Sequence, residues 1–221
     1  MQTAIIFDMD GTLFQTNLIL EPSLEQTFDH LRKSGLWSGV TPIEQYRQIM
    51  GVPLDVVWET LCPSHSIEIR KQSNEHFQLA LIEQIQRGNG ALYSGVLTTL
   101  QKLSERYPLY IASNGQTAYL QSIVAHYHLD RWIKAVYSID CIETNNKSSL
   151  VQHIIKEQQI NSGYVVGDRA SDIHAAIDNN LTAIAVNFDF AQLDEIRNAH
   201  FVVEQFSTIF HIIDSQHTME V

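Results

Sequence analysis

The run Ile5-Ile6-Phe7-Asp8-Met9-Asp10-Gly11-Thr12-Leu13 constrains the chain more than any other stretch. Its apolar half reads as a buried strand, because near-continuous hydrophobic runs closed by turn residues belong to strands covered on both faces. The strand would deliver two carboxylates, a glycine and a hydroxyl to the carboxyl edge of a sheet, which is where open α/β sheets bind ligands. Side chains alternate faces along a strand, so Asp8 and Asp10 are expected to point the same way and Met9 into the protein. Two like charges so close call for a cation. Gly11 lets the chain turn sharply or a ligand approach, and the Thr12 hydroxyl and nearby amides are available to an oxyanion. The same pentapeptide can also be a plain turn rich in Asp and Gly. Its meaning depends on what the rest of the chain supplies.

Two regions follow. Residues 15–92 carry helical patterns only: Glu21-Pro22-Ser23 leads into Leu24, Phe28 and Leu31 and stops at Gly35, and Thr41-Pro42-Ile43-Glu44 opens a second helix that stops at Gly51. A third helix runs from Pro53 to the Cys62-Pro63 break, and a fourth from Ser66 to Gly88-Asn89-Gly90. A βα crossover needs only about a dozen residues, so more than seventy here predict a helical cap inserted in the sheet domain. Its linkers are expected near residues 14–20 and 88–94, with the core in residues 1–14 and 93–221. From Gly95 onward strand and helix alternate, which predicts an α/β, doubly wound, Rossmann-like parallel sheet with right-handed crossovers.

Three later strand ends and loops carry polar groups. Ser113-Asn114-Gly115 closes Leu109-Tyr110-Ile111-Ala112, a strand expected beside the first; there a hydroxyl and the amides of Asn114 and Gly115 can hold a phosphoryl oxygen. Asn145-Asn146-Lys147-Ser148-Ser149 opens a helix, where a cation is disfavoured by the dipole and can compensate the Asp8 carboxylate and an incoming anion. Val165-Val166-Gly167-Asp168-Arg169-Ala170-Ser171-Asp172 ends a buried strand with an acid and places a second acid one helical turn on. Hard oxygen donors at that density suit Mg²⁺ better than zinc, and no histidine has ligand spacing beside them. Asp172 reads as a capping acid or an outer neighbour of the metal as readily as a ligand.

The four motifs in this order resemble those of the haloacid dehalogenase superfamily, and the inserted helices resemble the cap of its phosphoglycolate phosphatase and β-phosphoglucomutase-like members. The resemblance implies Asp8 as nucleophile, Asp10 as acid and base, and Ser113 and Lys147 steadying the transferred phosphoryl group. It implies Mg²⁺ held by the Asp8 carboxylate, the Asp10 main-chain carbonyl and Asp168. The expected activity is hydrolysis of a small phosphorylated metabolite through an aspartyl-phosphate; a phosphomutase and a non-catalytic binding protein of the same fold are the alternatives. Asp10 is present and no lysine lies between Lys33 and Lys71, which disfavours the dehalogenase and phosphonatase branches. Gly51-Val52-Pro53-Leu54 is closer to the phosphatase phrase than to the mutase one, and this loop is expected to look into the cleft. Gln15, Asn179-Asn180 and Asn187-Phe188-Asp189-Phe190 depart from the usual pattern without removing a catalytic group.

Composition narrows the partners. A formal net charge of -11 argues against a nucleic-acid backbone or an anionic membrane as partner, since phosphate binding needs surplus Lys and Arg. Cys62 and Cys141 lack metal or redox spacing and are expected to be free, buried thiols in a reducing compartment. No stretch approaches the roughly 18 apolar residues of a membrane helix, and a cytoplasmic monomer or weak homodimer is expected.

Overall fold

A computed structural model describes residues 2–49, 52 and 54–219. The sheet comprises β1 (Thr3–Phe7), β2 (Leu109–Ser113), β3 (Ile133–Ser138), β4 (Ser162–Gly167), β5 (Thr182–Val186) and β6 (Phe201–Val203). All pairings are parallel, in the order β3-β2-β1-β4-β5-β6. The chain therefore winds outward one way through β2 and β3, crosses back and winds the other way through β4 to β6. The reversal falls between β1 and β4, so the ends of these strands frame the crevice of a doubly wound sheet.

β1 is central because both its faces are apolar. Ile5 and Phe7 enter one hydrophobic cluster, Ala4 and Ile6 the other, and all four are buried. On the sheet faces and at its end pack α5 (Val96–Ser104), α6 (Thr117–Tyr127), α7 (Lys147–Glu157), α8 (Ala170–Asp178), the short α9 (Leu193–Ile196) and α10 (Thr208–Met219). α9 and two single 3₁₀ turns, at Leu129–Arg131 and Ile139–Cys141, were not foreseen, being too short for a periodic signal. Cys141 lies in the second of these turns and is exposed, which corrects the expectation of two buried thiols; Cys62 is buried, and both are free.

Between β1 and β2 stand α1 (Asn17–Lys33), α2 (Ile43–Ile49), α3 (Leu54–Leu61) and α4 (Ile67–Gln86). α1 begins four residues before Glu21 and carries Pro22 inside it, against the expectation that the proline leads into the helix. Pro22 and Leu18, whose carbonyl loses its helical donor, are exposed, while Ile19, Leu20, Leu24 and Phe28 are buried. Burial of that stripe outweighs one missing hydrogen bond, which water can replace. α1 and α4 pack side by side, and Phe28, Trp58 and Phe77 fill the space between the helices. The two connections to the sheet are tied together: Gln15 N–H donates to Ala91 O at 2.8 Å, Tyr93 N–H to Leu13 O at 3.1 Å, and the Gln15 side chain to Leu92 O at 2.8 Å. At Gly90 a Cβ would come within 2.4 Å of the Phe14 ring, so glycine lets the second connection pass close to the first. No helix among the described residues is long and apolar enough to cross a membrane.

Candidate active site

β1 ends at Phe7, and the Asp8 N–H continues its ladder by donating to Val166 O at 2.8 Å. That bond holds the Asp8 side chain over the crevice, 7 % exposed. Lys147 is the first residue of α7, whose start is capped by the Asn146 side chain accepting from Ser149 N–H at 3.0 Å. The cap sets the direction of the lysine. Its Nζ lies 2.6 Å from Asp8 Oδ1 and 2.5 Å from Asp172 Oδ1, with all three side chains buried. Asp172 sits in the first turn of α8, where its other oxygen accepts the Arg169 N–H at 3.0 Å. A Cβ on Gly167 would come within 2.1 Å of Asp172 Cγ, so the glycine that ends β4 makes room for this carboxylate.

Asp168 faces Asp8 from the end of β4. Carboxylate oxygens of Asp8, Asp168 and Asp172 lie within 4.8 Å of one another. Burial holds Asp168 well above the usual carboxylate range, and repulsion from Asp8 and Asp172 adds to it. Burial likewise pushes Asp8 up to about 7, although Lys147 pulls against it. Burial alone would lower Lys147, but Asp172 and Asp8 together hold it above its ordinary value. One lysine thus answers two acids, and the third has only a neutral donor. This charge deficit, lined with hard oxygens, fits a divalent cation. Asp8, which meets Lys147 through Oδ1 alone, and Asp168, which has no cation paired to it among the described residues, suit that role better than Asp172, whose two oxygens face Lys147 and the Arg169 N–H.

Asp10 is held differently. Its Oδ1 accepts from the Thr16 hydroxyl at 2.5 Å and from the Tyr119 phenol at 2.5 Å. Burial raises its pKa, and the two donors oppose the rise. Thr16 lies just before α1 and Tyr119 in α6, so this acid is gripped from both the helical insertion and the sheet domain. Neither residue belongs to a local motif, and sequence reasoning missed both.

Gly11 and Thr12, expected to contact an anion, shape the turn beside Asp168. Their amides donate within the turn, Gly11 to Phe14 O at 3.0 Å and Thr12 to Met9 O at 3.4 Å. The Thr12 hydroxyl is fully buried and donates to Asp168 Oδ1 at 3.1 Å. Gly11 has φ +75, and a Cβ there would approach Asp168 Oδ2 to 2.5 Å, so the turn folds tightly enough to bury the Thr12 hydroxyl and admits Asp168 in its place. Ser113 Oγ accepts from Gly115 N–H at 3.0 Å, which leaves its own proton to donate. A cavity of about 20 Å³, the size of one water or ion, is bounded by Asp8, Asp10, Ser113, Asn114, Lys147 and Asp168. All the site residues expected from sequence therefore gather at one sheet edge, with Gly11, Thr12 and Asp172 acting on the acids. Sequence reasoning also missed the fork in which Arg169 Nε and Nη2 donate to the two Glu195 oxygens at 2.8 and 3.0 Å, because Glu195 arrives on the short α9.

Beside Asp10 a second cavity, of about 50 Å³, is walled by Val52, Leu54, Tyr46, Gln78 and Tyr119; Gly51 and Pro53 of the expected loop lie outside the described residues. Leu54 and Asn114 also line an open cleft of about 610 Å³ between α3, α4 and the loops after β2 and β3.

Comparison with known proteins agrees with this geometry. The model of a family described as haloacid dehalogenase-like hydrolase matches residues 5–186. A 5′-nucleotidase of Pseudomonas aeruginosa is 22% identical over 204 residues, 87% of this chain and 86% of its own. Among solved structures, a predicted phosphoglycolate phosphatase of Haemophilus somnus superposes with TM-score 0.81 at 18% identity, covering 96% of this chain and 98% of its own. A predicted phosphatase of Clostridium acetobutylicum gives 0.80 at 20%, covering 97% and 99%. With the family match spanning β1 to β5 and every strand-end acid in place, the chain belongs to the haloacid dehalogenase-like hydrolase family.

Proposed function

We propose that the protein is a Mg²⁺-dependent phosphatase that hydrolyses a small phosphorylated metabolite through an aspartyl-phosphate on Asp8. The observation that carries this reading is the pairing of Asp8 with Lys147 beside a second, separately held acid, Asp10. An Asp8 carboxylate oxygen attacks phosphorus and the bond to the leaving oxygen breaks, while Asp10 gives that oxygen its proton. Asp10, now a carboxylate, takes a proton from water as the water oxygen attacks the phosphorus, and orthophosphate leaves with Asp8 restored. Lys147 neutralises charge at Asp8 and on the phosphoryl group, and the Ser113 hydroxyl donates to a phosphoryl oxygen. Mg²⁺, held by Asp8, Asp168 and the Asp10 main-chain carbonyl, would supply further charge neutralisation to the phosphoryl oxygens when bound.

The helices α1 to α4 act in this reading as a cap that excludes water from the reacting group and reads the leaving group. The open cleft is far larger than a two-carbon acid needs, which suits sugar phosphates or nucleoside monophosphates, the latter in keeping with the name of the Pseudomonas relative. An acidic chain with free thiols suits a cytoplasmic enzyme of small phosphate esters. The test is hydrolysis of p-nitrophenyl phosphate with and without Mg²⁺, followed by a panel of phosphorylated metabolites. Asp8→Asn should reduce kcat to background with the fold retained. Activity within about tenfold of wild type, ~1.4 kcal/mol of barrier, would overturn the covalent mechanism.

A further inference from the structure

Resting on the phosphatase reading, we propose that Gln78 determines specificity by hydrogen-bonding a hydroxyl of the leaving group, and that the substrates are phosphorylated polyols or sugars. If Asp10 protonates the leaving oxygen, the atoms attached to that oxygen occupy the space on the Asp10 side. That space is the cavity of about 50 Å³ between Asp10 and the cap helices. Of the lining residues from the insertion, Val52, Leu54 and Leu81 are apolar, Thr16 already gives its hydroxyl proton to Asp10, and Tyr46 is a buried phenol. Gln78 is different. It projects from α4, is 8 % exposed, and its Oε1 has no hydrogen-bond donor among the described residues.

Buried carbonyl oxygens without a donor are rare in folded proteins, and one that lines a cavity beside an acid and base invites a donor from the ligand. A carboxamide presents an acceptor and a donor side by side. A hydroxyl answers either end, whereas the carboxylate of a phosphorylated hydroxy acid brings only acceptors and leaves the Gln78 oxygen unanswered. The cavity holds only the few atoms next to the ester oxygen. The remainder of a polyol, sugar or nucleoside passes Leu54 and Asn114 into the cleft of about 610 Å³.

The experiment compares ribitol 5-phosphate with pentyl phosphate, which share a five-carbon chain and an alkoxide leaving group and differ in hydroxyls at every other carbon. Wild type should favour ribitol 5-phosphate in kcat/KM by at least about tenfold, since a site built to bond a hydroxyl rejects the analogue that lacks it. Gln78→Met keeps the length of the side chain, and with its thermal unfolding transition retained it should bring the ratio of the two esters toward one. An unchanged ratio in the variant overturns the role of Gln78 while leaving the phosphatase reading intact. A wild-type ratio near one does the same, and decides the matter even if the variant fails to fold. Absence of turnover with both esters and with p-nitrophenyl phosphate overturns the phosphatase reading and this proposal together.

Discussion

The chemistry at the scale of single residues turns on how differently two acids of one short phrase are treated. Asp8 is paired with a buried lysine, which favours the carboxylate form that the proposed nucleophile requires. Among the described residues Asp10 is hydrogen-bonded by the neutral Thr16 and Tyr119 hydroxyls, and burial keeps its pKa raised, which suits the proposed acid and base. Tyr119 is a positioning residue in this scheme, because its bond to Asp10 favours the charged form. Tyr119→Phe should therefore raise the Asp10 pKa further. The limb of the kcat–pH profile that reports Asp10 is expected to move to higher pH, because a hydrogen bond that favours the charged form is lost. An unmoved limb would show that the phenol only fills space.

Elements deliver these residues through a few tight junctions. At the β4–α8 junction, Asp172 folds back on the Arg169 amide and reaches Lys147, and it can do so because Gly167 has no side chain. Gly167→Ala would set a Cβ 2.1 Å from Asp172 Cγ, so either the carboxylate or the strand end must move. Destabilisation of about 1–3 kcal/mol by chemical denaturation is expected, the range of core overpacking. A fall in kcat at permissive temperature should accompany it, since Lys147 loses one of its two partners. Full activity in a destabilised variant would mean that the Asp172 contact is structural alone. In the helical insertion, by contrast, helix boundaries follow burial: α1 runs through Pro22 because its apolar stripe continues on both sides of the proline.

For the whole molecule, the active edge is a place where folding works against a charge problem. A carboxyl whose pKa is raised on folding keeps its proton longer in the native state, so stability falls as pH rises upward from the ordinary carboxylate range. Asp168, held well above that range, contributes such a penalty at neutral pH. Asp168→Asn keeps the acceptor for the Thr12 hydroxyl and removes the charge. In EDTA at neutral pH the variant should unfold at a higher temperature than wild type, and the advantage should shrink as the pH falls toward 4. With Mg²⁺ the order should reverse, since only wild type gains from binding. A variant less stable than wild type in EDTA at all pH values would show that Asp168 is not under charge strain.

Much of this was legible along the chain because its causes are local. An apolar run closed by Asp8-Met9-Asp10-Gly11 reads as a buried strand that ends at a sheet edge, and strict alternation after Gly95 leaves a doubly wound parallel sheet as the consistent fold. The acids and the lysine could be singled out because each stands within a few residues of a strand end or a helix start, places defined by neighbouring residues. What only the tertiary structure decided are contacts between distant segments. Tyr119 reaches Asp10 across 109 residues, and Thr12 reaches Asp168 across 156. Glu195 meets Arg169 from a helix of 4 residues that carries no periodicity. Gln78 stands on an otherwise ordinary helix face, and its oxygen, without a donor among the described residues, is buried where α4 packs against α1 and α3 and against α6 of the sheet domain. Strand ends are written in adjacent residues, whereas the partners of a buried polar atom depend on which surfaces meet, and that is settled by packing of the whole chain.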